Sequence, residues 1–422
     1  MITLCPKLSP GPRFLGKTPA YPRLAATLLL LMISTHAPAD PDPARAPIVV
    51  SEEAAALHRD CLVIDGHNDM PWEIRTQGAS DFSKLDISQP QPSLQTDLPR
   101  AKQGGLDAQF WSVWVPAELD GTGKALSTTL EQIELVRLML DRYPDQMELA
   151  LTAEDIKRIA ASGKLASLIG VEGGHCIEES LSVLRRLHQL GARYMTLTHG
   201  DTISWADSGT DEPRNGGLTA FGQEVVREMN RLGMMVDLSH VSIDVMHQTL
   251  DITTAPVLFS HSSARGVADH PRNVPDEVLV RLKESDGVVM VNFFSAFVVP
   301  AAAENYATQF NLRRELTAKK TERAEIERQI AVWRSANRMP RGTIHDLLDH
   351  IDHIAKVAGP EHVGLGSDYD GVSVLPAGLE DVTSYPRITQ GLLDRGYTAE
   401  QIRGILGGNL LRVMHGVENA AE

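Results

Sequence analysis

The chain has 422 residues, 42% of them hydrophobic and 23% charged, which supplies a sizeable core and carries no compositional mark of disorder. Its 40 basic and 55 acidic residues leave a formal charge of -15, which argues against duplex nucleic acid or an anionic membrane surface as the main partner. Any basic site must be local.

Residues 1–39 differ from the rest. Lys7, Arg13, Lys17 and Arg23, with no acidic residue among them, precede an apolar run from Leu24 to Ile33, and Ala37-Pro38-Ala39 offers a small-x-small cleavage site. The run is about ten residues, too short to span a bilayer and suited to the apolar region of a signal peptide. The expectation is a signal peptide over 1–39, one domain over 40–422, and a mature protein that is secreted or periplasmic. Cys5 leaves with the signal, and Cys61 and Cys176 alone make no disulfide framework. The polar end Gly416 to Glu422 carries no lipid-anchor signal.

Short apolar runs bounded by turn signals then follow in series: Cys61–Asp65, Ala108–Val115, Ala166–Val171, Tyr194–Leu197, Met234–Leu238, Pro256–Phe259, Val288–Val291 and His362–Leu365. Between them lie segments of helical period, among them Ile177–Leu190, Phe221–Leu232, Val241–Leu250 and Asp276–Glu284, several closing on a glycine such as Gly191 or Gly233. Thr152 and Asp155 form a candidate capping box. Continuous apolar strands alternating with helices predict a parallel sheet covered on both faces. Eight such units predict an α/β fold of the closed (β/α)8 TIM-barrel type, with an open doubly wound sheet as the competitor. Extra length sits at Pro71–Gln103 after the first strand and Ala301–Gly342 after the seventh. The latter reads as one long solvated helix packing a face on the barrel, with Ile326, Ile330 and Trp333 at helical spacing.

The residues able to do chemistry cluster at the C-terminal strand ends, where barrels build their active sites. They are Asp65-Gly-His67-Asn-Asp69, Val171-Glu172-Gly-Gly-His175, Thr196-Leu-Thr-His199, Asp237-Leu-Ser-His240, Ser260-His261-Ser-Ser and Gly366-Ser-Asp368-Tyr-Asp370. So many ionisable groups buried together are costly unless something pairs them, and a pair of metal ions would do so. Imidazole and carboxylate donors suit Zn2+, with Mn2+ or Co2+ able to occupy the same site. His350 and His353, flanked by Asp349 and Asp352 on an apparent helix, lie away from every strand end and read as solvated or capping residues. No H-E-x-x-H, Walker loop or G-x-S-x-G elbow occurs.

These runs, with Pro71-Trp72, Trp205-Ala-Asp207 and Arg272-Asn-Val-Pro-Asp276, resemble in order the membrane dipeptidase (renal dipeptidase) family of binuclear zinc peptidases, from about residue 55 to Val413. The resemblance implies two Zn2+ per chain, His67 and Asp69 holding one, His240 and His261 the other, and Glu172 bridging them. It implies that His199 and Arg272 contact substrate and that Asp368 handles the proton. The first motif is H-x-D where most amidohydrolase barrels carry H-x-H, and the bridge is Glu172 where many use a carboxylated lysine. The lipid-anchor signal of the animal enzymes is absent, and two cysteines cannot reproduce their disulfides.

The expected activity is hydrolysis of dipeptides with free termini by a hydroxide shared between the metals. His199 would stabilise the oxyanion, Asp368 would carry the proton to the leaving amine, and Arg272 would clamp the substrate's C-terminal carboxylate. Expected partners are dipeptides, with no nucleic acid, no stable membrane anchor, and a homodimer left open. Two rival readings remain at this stage: a related binuclear amidohydrolase acting on N-acyl amino acids or lactams, and a non-catalytic exported binding protein.

Overall fold

Runs that are apolar on both faces can be buried on both, and the structure, a computed structural model, builds its sheet from them. It describes residues 45–422; the signal-peptide expectation lies outside them. The strands are β1 (Ile64–Asn68), β2 (Ala108–Trp114), β3 (Met147–Leu149), β4 (Leu165–Glu172), β5 (Ala192–Thr196), β6 (Met235–Asp237), β7 (Leu258–Phe259), β8 (Val288–Val291) and β9 (Val363–Leu365). Their order is β2-β1-β9-β8-β7-β6-β5-β4, and β4 pairs back onto β2 with Ala108 beside Ala166 and Trp114 beside Glu172. All pairings are parallel. The sheet is therefore a closed (β/α)8 barrel.

β3 is an addition to that plan. It pairs with Leu165–Ser167, on the stretch of β4 below the point where β5 joins at Ile169. Three residues, Met-Glu-Leu, are too few to display a period. The ends of β1 and β9 approach the end of β7 closely. A Cβ at Gly66 would lie 2.6 Å from the Ser260 carbonyl oxygen, and one at Gly366 only 2.0 Å from it, so both positions require glycine.

The helices follow the periodic segments, starting at side-chain caps such as Ser180, Thr219 and Ser242. Thr152 accepts from the Asp155 amide at 3.0 Å, but Asp155 returns its bond to Leu151 rather than to Thr152, so the cap forms without the reciprocal box. The long insertion corrects the expectation of a single helix. It is two helices, Pro300–Ala318 and Arg323–Ala336, reversed at Lys320 with φ 56°. They pack on each other through Leu312, Leu316, Ile326 and Ile330.

His350 is a second correction, because it is fully buried rather than solvated. Its Nδ1 accepts from the Ala264 amide at 2.9 Å, and its Nε2–H donates to the Val298 carbonyl at 3.1 Å. It thus pegs the loop after β7 to the segment that enters the insertion. His353 pairs with Asp276 at 2.7 Å. Cys61 and Cys176 are buried and free. No helix among the described residues is long and apolar enough to cross a membrane.

Candidate metal centre

Because each strand enters the barrel from the same end, residues just past six different strands converge at its mouth. β1 delivers His67 and Asp69, and β4 ends on Glu172. His199, His240 and His261 follow β5, β6 and β7, and Asp368 follows β9. Glu172 is the hub. Its Oε2 lies 3.5 Å from His67 Nε2, while its Oε1 lies 3.0 Å from His240 Nε2, 3.4 Å from His261 Nε2 and 3.8 Å from His199 Nε2. Asp69 Oδ2 is 3.3 Å from His67 Nε2. Three overlapping triads, His67-Glu172-His261, Glu172-His199-His240 and His67-Asp69-Asp368, each bring their donor atoms within 4.8 Å of one another. His240 and Asp368 adopt left-handed backbone, φ 72° and 63°, a conformation costly for side-chain-bearing residues and one that turns each inward from its strand end.

Two hydrogen-bond chains set which imidazole nitrogen faces the centre. The Tyr194 hydroxyl donates to the Gly66 carbonyl at 3.2 Å, so it accepts from His67 Nδ1–H at 2.9 Å. That leaves His67 Nε2 to face the centre; it is buried and without a hydrogen-bond partner. Tyr194 reaches across only because residue 170 is glycine, where a Cβ would lie 2.0 Å from the phenol ring. On the other side, Ser260 Oγ donates to Asp237 Oδ2 at 2.6 Å and accepts from His261 Nδ1–H at 2.7 Å. Asp237 is itself held by the Thr196 hydroxyl at 2.5 Å. This is the backing that metal-ligating histidines receive, since it fixes the tautomer and aims the second nitrogen.

The imidazoles of the centre differ: burial opposes charge on His67, but Tyr194, Glu172 and Asp69 outweigh it and hold it well above the ordinary imidazole range. Burial drives His240 and His261 well below the ordinary imidazole range, aided by the Arg272 charge, so both are neutral donors. Burial would raise Glu172, but His67, His199, His240 and His261 outweigh it and hold the carboxylate well below its usual range. Asp368 goes the other way. Burial, reinforced by Asp69 and Glu172, pushes it up to about 8, while Asn292 Nδ2 donates to its Oδ2 at 2.8 Å. The buried Nε2 of His67, backed through its Nδ1 by Tyr194, and the neutral imidazoles of His240 and His261 around an ionised carboxylate fit a divalent ion of the zinc type, which would take the place of the His67 proton.

Arg272 borders this centre, only 3% exposed. It donates to Ser262 Oγ at 3.3 Å and to the His261 carbonyl at 3.1 Å, and its Nε has no partner. Its guanidinium lies 5.2 Å from the Phe297 ring centroid. Among the described residues it makes no salt bridge, and Asp368, Glu172 and Asp237 attract it only from beyond contact distance, so a buried cation borders the cavity without a direct carboxylate partner. That cavity, about 920 Å³, is lined by Asp69, Glu172, His199, His240, His261, Arg272 and Asp368 together.

The structure therefore brings together His67, Asp69, Glu172, His199, His240, His261, Arg272 and Asp368, leaves His175 and Asp65 outside the cavity lining, and adds residues to which the sequence assigned no role. Trp72 and Trp114 line the cavity, as do Tyr306, Phe310, Arg313 and Arg314 from the insertion. Asp207 stands apart. Its carboxylate accepts from the Arg214, Asn215 and Gly217 amides at 2.8–3.0 Å and organises the loop after β5.

Known proteins share this plan. The model of the family described as membrane dipeptidase (peptidase family M19) matches residues 51–422. The chain is 36% identical to dipeptidase 3 of Mus musculus, over 98% of this chain and 82% of that protein. It is 41% identical to an uncharacterized dipeptidase of Schizosaccharomyces pombe, over 85% and 81% of the two chains. The crystal structure of the probable dipeptidase PvdM from Pseudomonas aeruginosa superposes with a TM-score of 0.76 at 26% identity, covering 87% of this chain and 98% of that one. With its barrel, its strand-end residues and nearly its whole described length accounted for, the chain belongs to the membrane dipeptidase family, peptidase family M19, and is a hydrolase of peptide bonds.

Proposed function

We propose that the protein is an exported dipeptidase that works with two Zn2+ ions per chain, held by His67 and Asp69 on one side, His240 and His261 on the other, and Glu172 between. The observation that carries this reading is Glu172, whose two oxygens face different imidazole groups. When bound, the ions supply a water that is nucleophilic at neutral pH and a Lewis acid for the scissile carbonyl.

The chain's own residues do the rest. Arg272, buried and without a carboxylate partner, binds the free C-terminal carboxylate through its planar fork. His199, kept neutral chiefly by burial, donates a hydrogen bond to the carbonyl oxygen as charge develops there. Asp368, steadied by Asn292, takes the proton of the attacking water and returns it to the departing amine.

The test is amino-acid release from a dipeptide panel by protein stripped with chelator and reloaded with Zn2+, Mn2+ or Co2+. Release that appears on reloading and vanishes with chelator is expected. Fully loaded protein that cleaves no dipeptide, or cleaves an N-acyl amino acid or lactam in preference, overturns the reading. The export component rests on residues 1–39, and sequencing the mature N-terminus should find it at or near Asp40. An intact Met1 would overturn it.

A further inference from the structure

The insertion reverses direction over the mouth of the barrel and places its first helix against the cavity. Tyr306 and Phe310, one turn apart on Pro300–Ala318, line that cavity beside Phe294 and Phe297. Tyr306, Phe294 and Phe297 are held as one wall with the His270 ring, and Phe310 extends the lining one turn along the helix. Tyr306 lies 5.2 Å from the His270 ring and 6.0 Å from Phe294, and Phe297 lies 4.6 Å from His270 and 5.0 Å from Phe294. The same Phe297 supports the Arg272 guanidinium, so the wall begins where the carboxylate clamp ends.

The charged residues of the insertion that reach the cavity are already committed. Arg313 makes a two-pronged pair with Glu327 at 2.7 and 2.9 Å, and Arg314 pairs with Glu212. A substrate side chain leaving the clamp toward this wall therefore meets aromatic carbon rather than a free cation.

We infer that the insertion is a specificity element, Tyr306 and Phe310 with Phe294 and Phe297 forming the receptor for a bulky apolar side chain on the C-terminal residue of the dipeptide. The inference rests on the carboxylate clamp of Arg272, because the clamp is what brings the C-terminal residue's Cα beside Phe297. A fully buried leucine or phenylalanine side chain gains enough from desolvation to favour it over glycine by about tenfold to a hundredfold. An aspartate at the same position gains nothing, since Arg313 and Arg314 are neutralised on the protein.

The experiment compares kcat/KM for Ala-Gly, Ala-Leu, Ala-Phe and Ala-Asp on zinc-loaded wild type, Tyr306→Ala, Phe310→Ala and Tyr306→Phe. A second readout is calorimetric binding of the reduced-amide analogues of Ala-Leu and Ala-Gly, which cannot be cleaved. Wild type is expected to favour Ala-Leu and Ala-Phe over Ala-Gly and Ala-Asp by about tenfold or more. Either alanine variant should narrow that ratio to a few-fold in both rate and binding, while Tyr306→Phe keeps it. A wild-type preference within twofold, or a ratio unchanged in both alanine variants, overturns the inference. Failure to cleave any of the four dipeptides would instead strike the dipeptidase reading, so the two failures are distinguishable.

Discussion

His240 and His261 face each other through their Nε2 atoms at 3.0 Å, and Glu172 Oε1 lies 3.0 and 3.4 Å from the two. His261 has committed its Nδ1 proton to Ser260, so a bare nitrogen confronts a second imidazole next to an anion. A cation among them removes the conflict. Replacing Glu172 with glutamine keeps the shape and takes away the charge. Glu172→Gln should keep the circular-dichroism spectrum of the folded barrel yet lose most of its bound metal and its activity. Metal analysis that found two ions per chain with undiminished turnover would refute the bridging role.

The two sides of the centre are backed by different chemistry, a neutral phenol behind His67 and a hydroxyl leading to a carboxylate behind His261. Losing such a partner typically weakens metal affinity about tenfold to a hundredfold. Tyr194→Phe should weaken the ion held by His67, and Ser260→Ala the ion held by His261. In each case one step of a two-step zinc titration moves and the other stays. Titrations that superimpose on wild type for both variants would mean the hydrogen bonds do not orient the ligands.

The barrel was legible because strands buried on both faces read as unbroken apolar runs, as the four buried residues Val288–Val291 of β8 illustrate. The candidate centre was legible because His67, Glu172, His240 and His261 each follow such a run directly. Tyr306 and Phe310 were not. Periodicity says which residues share a helical face, but what that face covers is decided by the reversal at Lys320. His350 misled for a related reason. Acidic neighbours on its helix suggest solvent, yet its own ring sits on the opposite, fully buried side.

That burial has a pH signature. His350 is pushed down to about 4, chiefly by desolvation, whereas an unfolded histidine titrates near 6.5. Between those values the unfolded chain binds a proton that the folded chain refuses, so stability is present above about 6.5 and lost as pH falls toward 4. By pH 5 the loss from this residue is about 2 kcal/mol. His350→Gln can still accept from Ala264 and donate to Val298 but does not titrate. Urea unfolding at pH 8 and pH 5, with chelator throughout, should show a decline smaller by about that amount in the variant. Parallel declines would assign the acid sensitivity elsewhere.

In the proposed function Arg272 sets how long a substrate can be. Its guanidinium is buried, stacked on Phe297 and without a carboxylate partner among the described residues, so it is poised for an anion supplied from outside. A dipeptide offers its terminal carboxylate, a dipeptide amide offers none, and a tripeptide must set a neutral amide against the desolvated charge. A hydrogen bond to a charged group is worth about 1.5 to 3 kcal/mol, so losing the carboxylate should lower kcat/KM by about tenfold to a hundredfold. Arg272→Lys should show part of that loss, since a single ammonium cannot reproduce the fork. In Arg272→Ala the dipeptide and its amide should become nearly equal substrates, both poor. The measurement is kcat/KM for a dipeptide, its C-terminal amide and the matching tripeptide on wild type and both variants. Equal wild-type rates on all three would remove the clamp, and with it the restriction to dipeptides.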